Sequence, residues 1–342
     1  MRAAVFSRPG EKLAIETVAM PRAGKGELVL KVRSCGICGS DLHMTEAHTI
    51  QPLPSGSIMG HEFSGEIVEV GQGLSGRFRE GQRVAGFPFI CCGQQVLCPN
   101  FSGAKIGCTN GKGIGLGTSP GAYAEFVTIG GLGAHLLPAS VSFEEGALVE
   151  PLAVGLHAVD MARMGRGETV LVIGAGPVGL AVALWARFLG ARHVIVSERA
   201  EARRAMAAKM GATDVIDPAK ALTPQVEAIA GTPPDIIFEC VGVPGLLNEI
   251  FMAAPRGCRV VVAGVCQQPD TIFPLIGIVK ELNVQFVFGY RPADFDYVIE
   301  MIAKDRIDAG AMVTDRITLD QLPDAFEALR KPTTQCKVMV GF

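Results

Sequence analysis

The sequence lacks any hydrophobic run long enough to cross a membrane, and it lacks an excess of charge of one sign. Its apolar residues make up 49% of the 342, but they occur in short runs that fall below the roughly 18 residues of a transmembrane helix. The formal net charge of -3 gives no field that would attract nucleic acid or an anionic membrane surface. The composition therefore argues against those partners and is typical of an enzyme long enough for two domains.

The N-terminus also lacks the long apolar segment of a signal peptide. Ten cysteines in a chain without an export signal indicate thiols or metal ligands rather than disulfides. We therefore expect a cytoplasmic protein that acts on a small molecule.

The pattern of predicted secondary structure changes partway along the chain. Residues 1–145 hold short strand-like runs separated by turns rich in glycine and proline, which predicts a mostly antiparallel β domain. From Val170 strands alternate with helices, the pattern of a parallel sheet built from βαβ units. The last strand is expected to return to the first domain. Strands are expected at 28–33, 65–70, 123–129, 170–173, 193–197, 236–240, 259–265, 284–288 and 336–340, and helices at 150–164, 178–189, 199–210 and 295–304.

The apolar strand at 170–173 runs straight into a G-x-G-x-x-G turn. The first glycine permits a tight turn, the second lets the backbone approach a pyrophosphate, and the third lets helix and strand pack closely. The helix that follows points its positive N-terminal end at the anion. The pattern predicts dinucleotide binding by Gly174, Gly176, Pro177, Val178 and Gly179.

A carboxylate, Glu198, closes the next apolar run about 20 residues further on, where it can accept hydrogen bonds from an adenosine ribose. It would also repel a 2′-phosphate, which favours NAD. Arg199 and Arg203 leave NADP open, because an adjacent guanidinium can grip that phosphate. Arg203 could instead sit beside the adenine.

Metal-ligand residue types gather around Cys38 and His61 in the first domain. A soft thiolate, an imidazole and neighbouring carboxylates are the ligands expected of catalytic zinc, which takes three protein ligands and keeps one position open. Glu150 offers a third ligand at the domain junction, although a carboxylate before a proline can also cap or hinge a helix. Taken alone, Cys35-x-x-Cys38 could be a redox pair or simple packing.

These motifs together resemble the zinc-dependent alcohol and polyol dehydrogenase branch of the medium-chain dehydrogenase/reductase superfamily, which includes sorbitol, butanediol and threonine dehydrogenases. The resemblance covers essentially the whole chain. It implies a GroES-like catalytic domain, residues 1–150 and 296–342, around a Rossmann domain, residues 151–295, with the active site in the cleft between them. The motifs that carry it lie at 38–43, 60–62, 150–152, 174–179, 238–242 and 319–326.

The resemblance implies an NAD(P)-dependent alcohol dehydrogenase with a defined metal site. Cys38 and His61 would bind the zinc, with Glu150 as third ligand or as the residue that holds a water at the metal. Asp41 would accept a hydrogen bond from His61 and fix its tautomer. Glu62 matches a family carboxylate that can approach the metal transiently.

Two further residues match the family's proton relay. Ser40 would pass the hydroxyl proton of the substrate out through the cofactor ribose to His43, while zinc acts as a Lewis acid. An exposed histidine is often only solvated, so His43 could also have no chemical role.

One departure from the family concerns its structural zinc, which four cysteines hold in many members. When the lobe is aligned on Cys92 and Cys98, Gln95 and Ile106 occupy two of the ligand positions, and neither residue is a zinc ligand. Closed structural sites need four good ligands, so we expect one catalytic zinc per chain. A shifted site that uses Cys91, Cys92, Cys98 and Cys108 stays open.

The sequence leaves the substrate and the assembly less defined. An apolar, aromatic wall at 86–89 favours a secondary alcohol or ketone with an apolar portion over a diol or sugar alcohol, unless these rings only fill the core. Two other functions are conceivable, a zinc-free quinone or enoyl reductase of the same fold and a non-catalytic nucleotide-binding protein. The ligand types at Cys38, His61 and Glu150 argue against both. A homodimer or homotetramer is expected by resemblance, through edge pairing around 284–288.

Overall fold

The computed structural model describes residues 1–90, 111–331 and 334–342. The chain divides into two compact units, one formed by Met1–Glu150 with Arg291–Phe342 and the other by Pro151–Tyr290. Among these described residues, no helix is both long enough and apolar enough to cross a membrane.

Short strands dominate the first part of the chain, and strands alternate with helices in the second. The elements up to the first unit boundary are β1 (Arg2–Phe6), β2 (Ala14–Thr17), β3 (Glu27–Gly36), α1 (Gly39–Met44), β4 (Ser57–Ile58), β5 (Glu62–Val70), β6 (Arg83–Gly86), β7 (Phe89–Ile90), β8 (Lys112–Gly113), β9 (Phe126–Gly130), β10 (Ala134–Leu136) and α2 (Phe143–Met161), which crosses it. Those of the second unit are β11 (Thr169–Ile173), α3 (Pro177–Phe188), β12 (His193–Ser197), α4 (Glu201–Lys209), β13 (Asp214–Ile216), α5 (Leu222–Ala230), β14 (Ile236–Glu239), α6 (Leu246–Ala253), β15 (Arg259–Val262), α7 (Pro274–Lys280) and β16 (Asn283–Phe286). The chain then returns to the first unit with α8 (Pro292–Ala303), β17 (Val313–Thr318), α9 (Leu322–Ala328) and β18 (Lys337–Gly341).

Strand β3 lies at the centre of the main sheet of the first unit. It pairs antiparallel with β5, β9 and β18, and its residues Leu28, Val29, Leu30 and Val32 are all fully buried. Because β18 comes from the C-terminal end of the chain, the predicted return of the last strand to the first domain is confirmed. The sheet thus brings residues from both ends of the sequence next to β3.

The strand predicted over 123–129 is shorter than expected, because β9 begins at Phe126. The backbone N–H of Tyr123 donates instead to the carbonyl of Met59 (2.9 Å), and its carbonyl accepts from the N–H of Ala4 (2.8 Å). The segment before β9 is therefore bonded both to β1 and to the chain that leads into β5.

The helix predicted over 150–164 begins earlier, at Phe143, and ends at Met161. Its start has a capping signal in the sequence, since Ser142 and Glu145 form a reciprocal pair. The N–H of Ser142 donates to Glu145 Oε2 (2.7 Å), and the N–H of Glu145 donates to Ser142 Oγ (3.1 Å), which satisfies backbone donors that a helix start leaves open.

The second unit is built on a six-stranded sheet in the order β13-β12-β11-β14-β15-β16. All its pairs are parallel, as the alternation of strands and helices predicts. The strand expected over 259–265 ends at Val262, because the N–H groups of Ala263 and Gly264 both turn to the carbonyl of Glu239 (2.9 Å each). The carboxyl end of this sheet carries the glycine-rich turn.

Candidate metal centre and nucleotide-binding turn

Three metal-ligand side chains of the first unit converge: Cys38, His61 and Glu62. Each offers one ligand atom, and these atoms all lie within 4.8 Å of one another. In the described part of the chain no other group of three such residues lies this close. His61 and Glu62 are buried and Cys38 is half-buried. Their donors are an imidazole, a carboxylate and a sulfur.

The backbone brings these three residues together from two segments. Cys38 lies in the short connection between β3 and helix α1, while His61 and Glu62 stand where β5 begins. The antiparallel register places Gly36 opposite Glu62. A Cβ at Gly36 would lie 2.1 Å from Glu62 Oε2, so this glycine leaves the room that the carboxylate occupies.

Gly60, which precedes the histidine, is also required by its position. It has a φ of +91°, a conformation that glycine adopts without the strain of a side chain. A Cβ there would lie 2.6 Å from the ring of Tyr123. The turn before His61 can therefore pack against Tyr123 only without a side chain.

Asp41 connects the two segments through one fully buried carboxylate. Its Oδ1 lies 3.1 Å from His61 Nδ1, and its Oδ2 accepts from the N–H of Cys38 (3.1 Å) and the hydroxyl of Tyr123 (2.6 Å). Burial, the largest effect, lowers the pKa of His61, but the Asp41 carboxylate and the Cys38 sulfur together raise it well above its ordinary value. Because Nδ1 is bonded to Asp41, the second ring nitrogen is left for another partner.

The carboxylate of Glu62 is held by a lysine that no sequence motif indicated. Lys337 Nζ donates to both oxygens of Glu62 (2.6 Å each) and to the carbonyl of Ile37 (3.1 Å). The side chains of Lys337 and Glu62 are 0% and 1% exposed. Burial lowers the pKa of Lys337, but Glu62 above all, with Cys38 and Glu150, raises it above its ordinary value. The only feature of the sequence that could have indicated this role is the presence of a lysine inside the apolar strand at 336–340.

The remaining residues predicted for the metal site and relay lie around this cluster. Ser40 Oγ donates to the Cys38 sulfur at 3.2 Å. His43 is 43% exposed and lies 3.3 Å from Glu46 through Nδ1. Glu150 is buried in α2 but stands outside the group of three.

The donor set fits zinc. Thiolate sulfur, imidazole nitrogen and carboxylate oxygen are the ligand types of catalytic zinc sites. A ligating histidine commonly gives its other ring nitrogen to a carboxylate, and Asp41 occupies that position for His61. The residues predicted around a second, structural zinc, Cys91, Cys92, Gln95, Cys98, Ile106 and Cys108, lie outside the described residues.

The glycine-rich turn of the second unit follows β11. Gly174 has a φ of +98°. A Cβ at Gly179 would lie 1.9 Å from the carbonyl oxygen of Gly174. Around Gly176 a Cβ would meet nothing within 4 Å. The first and third glycines are thus required by the fold itself, whereas the second borders open space at the start of α3, where Pro177 and Val178 begin the helix.

Glu198, which follows β12, ties this turn to the next segment. Its Oε2 accepts from the N–H of Ala175 (2.9 Å) and its Oε1 from the N–H of Ala200 (2.8 Å). A neighbouring arginine that was not predicted, Arg204, donates to the carbonyls of Glu198 (2.9 Å) and Arg199 (2.8 Å). Arg204 thus binds the backbone directly after this strand.

A second carboxylate in the same unit shapes the loop after β14. Glu239 is buried, and its Oε1 accepts from the N–H groups of Val241 (2.7 Å) and Gly242 (2.8 Å). Glu239 belongs to the 238–242 motif, but the sequence carried no indication of this role.

Two family models match the chain. Residues 24–139 match the alcohol dehydrogenase GroES-like domain, and residues 177–304 match the zinc-binding dehydrogenase family. The chain is 32% identical to (R,R)-butanediol dehydrogenase of Bacillus subtilis (strain 168), covering 96% of each chain. It is also 32% identical to sorbitol dehydrogenase of the same organism, covering 99% of this chain and 97% of the relative.

A solved structure supports the same assignment. A protein of Sinorhizobium meliloti 1021 whose solved structure is bound to NADP superposes with a TM-score of 0.87 at 31% identity, covering 100% of this chain and 99% of that one. The predicted fold class, a GroES-like domain plus a Rossmann domain, is thereby confirmed.

The chain belongs to the zinc-dependent alcohol and polyol dehydrogenase branch of the medium-chain dehydrogenase/reductase superfamily. It is an oxidoreductase that interconverts alcohols and ketones with zinc and a nicotinamide cofactor.

Proposed function

We propose that Cys38 and His61 hold the zinc and that Glu62 supplies the carboxylate beside them. The observation that carries this proposal is the convergence of these three donors within 4.8 Å. A carboxylate has enough lone-pair positions to accept from Lys337 and still serve a metal. Glu150, predicted as third ligand, lies outside this group, and we assign it the alternative role of holding a water beside the metal.

The residues around the metal site have the following proposed roles. When bound, zinc supplies a Lewis acid that stabilises negative charge on the substrate oxygen, and the nicotinamide accepts the hydride. Asp41 holds the His61 ring in one tautomer. Ser40, which contacts the Cys38 sulfur, would accept the hydroxyl proton of the substrate while giving its own proton toward the cofactor ribose, and from there the exposed His43 would pass a proton to solvent.

We propose NAD as the preferred cofactor, bound by Gly174, Gly176, Pro177, Val178 and Gly179 with Glu198. A carboxylate at the end of this strand suits ribose hydroxyls and repels a 2′-phosphate. Arg199 and Arg203 border the adenosine end in this proposal. The S. meliloti relative bound to NADP shows that the fold also accepts the phosphorylated cofactor, so the choice depends on the residues around Glu198.

We propose a secondary alcohol or polyol as substrate, since two relatives are named for butanediol and sorbitol. We also propose that the first unit is the zinc catalytic domain, that the second binds the nicotinamide cofactor, and that the protein is cytoplasmic. The six described cysteines are free thiols, which supports a reducing compartment.

One experiment tests the metal site, the cofactor and the substrate class together. Zinc is measured on protein purified without chelator, and NAD and NADP are compared on a panel of secondary alcohols and polyols. We expect about one zinc per chain, lost in Cys38→Ala and kept in the control Cys266→Ala, and a preference for NAD. No zinc even after reconstitution would redirect the search to zinc-free reduction of quinones and enones, and a more than tenfold preference for NADP would overturn the cofactor assignment.

A further inference from the structure

A buried hydrogen-bond network ends at a tyrosine that no sequence motif singled out. Tyr123 is 0% exposed, and its hydroxyl donates to Asp41 Oδ2 at 2.6 Å. The same carboxylate binds the backbone N–H of Cys38 and the Nδ1 of His61. Asp41 therefore links both proposed metal ligands to one fixed phenol.

We propose that Tyr123 is a positioning residue of the metal centre, whose hydroxyl fixes the Asp41 carboxylate and thereby the ring of His61 and the backbone of Cys38. This inference rests on the proposed function, because it takes Cys38 and His61 as the zinc ligands.

Tyr123 is itself anchored to the segment that carries His61. Its backbone N–H is bonded to Met59, two residues before the histidine, and its ring fills the space that a side chain at Gly60 would need. The phenol and the imidazole therefore belong to one packed turn, and Asp41 connects this turn to α1.

The phenol is suited to act as a permanent donor. Burial above all, and then the Asp41 carboxylate, raises the pKa of Tyr123 well above its ordinary value. An ionised carboxylate can only accept hydrogen bonds, and a buried one needs its acceptors filled. Without the hydroxyl, Asp41 Oδ2 would keep only the N–H of Cys38, and the carboxylate could turn away from His61.

The test is Tyr123→Phe, which removes one oxygen, compared with Tyr297→Phe on α8 of the same unit as a matched control. The readouts are the rate of zinc release to a chelator and the visible absorption of the Co²⁺-substituted protein. Removing an outer partner of a metal ligand typically costs about 10–100-fold in metal affinity. For Tyr123→Phe we expect faster zinc release, consistent with a loss of zinc affinity of this size, and an altered Co²⁺ spectrum. For Tyr297→Phe we expect the same zinc release and spectrum as for the wild type.

The outcomes separate this proposal from the proposed function. Wild-type protein that binds no zinc would contradict the proposed metal site itself. Zinc-loaded wild type and a Tyr123→Phe variant with unchanged zinc release and Co²⁺ spectrum would overturn only the role of Tyr123, even if its melting temperature fell.

A second measurement on the protein that retains Tyr123 tests the proposal even if the Tyr123→Phe variant fails to fold. The chain has three tyrosines, so 3-fluorotyrosine labelling yields few ¹⁹F signals, and Tyr290→Phe and Tyr297→Phe assign them by elimination. We expect zinc addition to shift the signal of residue 123 because its hydroxyl bonds to Asp41. A signal that does not move on metal loading would overturn the proposal.

Discussion

The buried ammonium group of Lys337 has three hydrogen-bond acceptors. It bonds both oxygens of Glu62 and the carbonyl of Ile37. A buried charge is tolerated when it is paired, and removing one partner leaves the other uncompensated. The stability of the first unit should therefore depend on this pair.

We predict that Lys337→Met destabilises the metal-free protein by about 3–5 kcal/mol, because Glu62 is left buried without its counter-charge. Adding Glu62→Gln should recover part of the loss. The measurement is urea unfolding, with Lys12→Met as control, since Lys12 and Asp324 form an exposed pair whose attraction is screened by solvent. A Lys337→Met variant as stable as wild type would show that the pair is not needed.

At this scale the sequence indicated only part of the site. Cys38, Asp41, His61 and Glu62 stand in short motifs, so their residue types and spacing were informative. Lys337 is far from those motifs in the sequence, and it reaches them only because β18 pairs with β3.

At the scale of elements, the turn between β11 and α3 separates two uses of glycine. A Cβ at Gly179 would collide with the carbonyl of Gly174, whereas a Cβ at Gly176 would meet no protein atom within 4 Å. Gly176 also has a φ of -72°, which any residue adopts. Gly179 is required for the packing of helix on strand, whereas Gly176 borders the open space where we propose that the cofactor binds.

We predict that Gly179→Ala lowers the thermal stability, by an overpacking cost of about 1–3 kcal/mol, while Gly176→Ala folds normally and binds NADH more weakly. Differential scanning fluorimetry and NADH fluorescence titration measure the two effects. Equal behaviour of both variants in both assays would contradict this division of roles.

Element positions were well predicted where the hydrophobic pattern was strong. The strand expected at 193–197 is β12, with the same limits, and the strand ending the chain is present as β18. The errors occur at strand ends, such as 263–265 and 123–125, where Ala263, Gly264 and Tyr123 bond to other segments and Ala124 forms an isolated bridge to Ala3. Periodicity does not report such partners.

At the scale of the whole molecule, one edge of the parallel sheet exposes an apolar surface. The edge strand β16 and its flank include Phe286 at 65% and Phe288 at 83% exposure, and α7 adds Ile278 at 71%. An exposed apolar edge strand offers unpaired backbone groups and an apolar patch to a second copy of the chain. Such a surface is consistent with the homodimer or homotetramer that the resemblance leads us to expect.

We predict that Phe286→Lys shifts the protein toward monomers, because a charge at the edge strand opposes pairing. Val215→Lys is the matched control, since Val215 is 40% exposed on β13, the opposite edge of the same sheet. Light scattering after size-exclusion chromatography measures the mass. A monomeric wild type, or an unchanged Phe286→Lys assembly, would count against pairing at this edge.

Local spacing and residue type were enough to predict the fold class, the family, the glycine-rich turn and Cys38 and His61 as candidate metal ligands. Only the three-dimensional arrangement shows that Glu62 is the carboxylate beside the cysteine and histidine, that Lys337 bonds to Glu62 and that Tyr123 bonds to Asp41. Such contacts join segments that are distant in the sequence, and the pairing of β18 with β3, which the spacing of the short motifs does not show, brings Lys337 to Glu62.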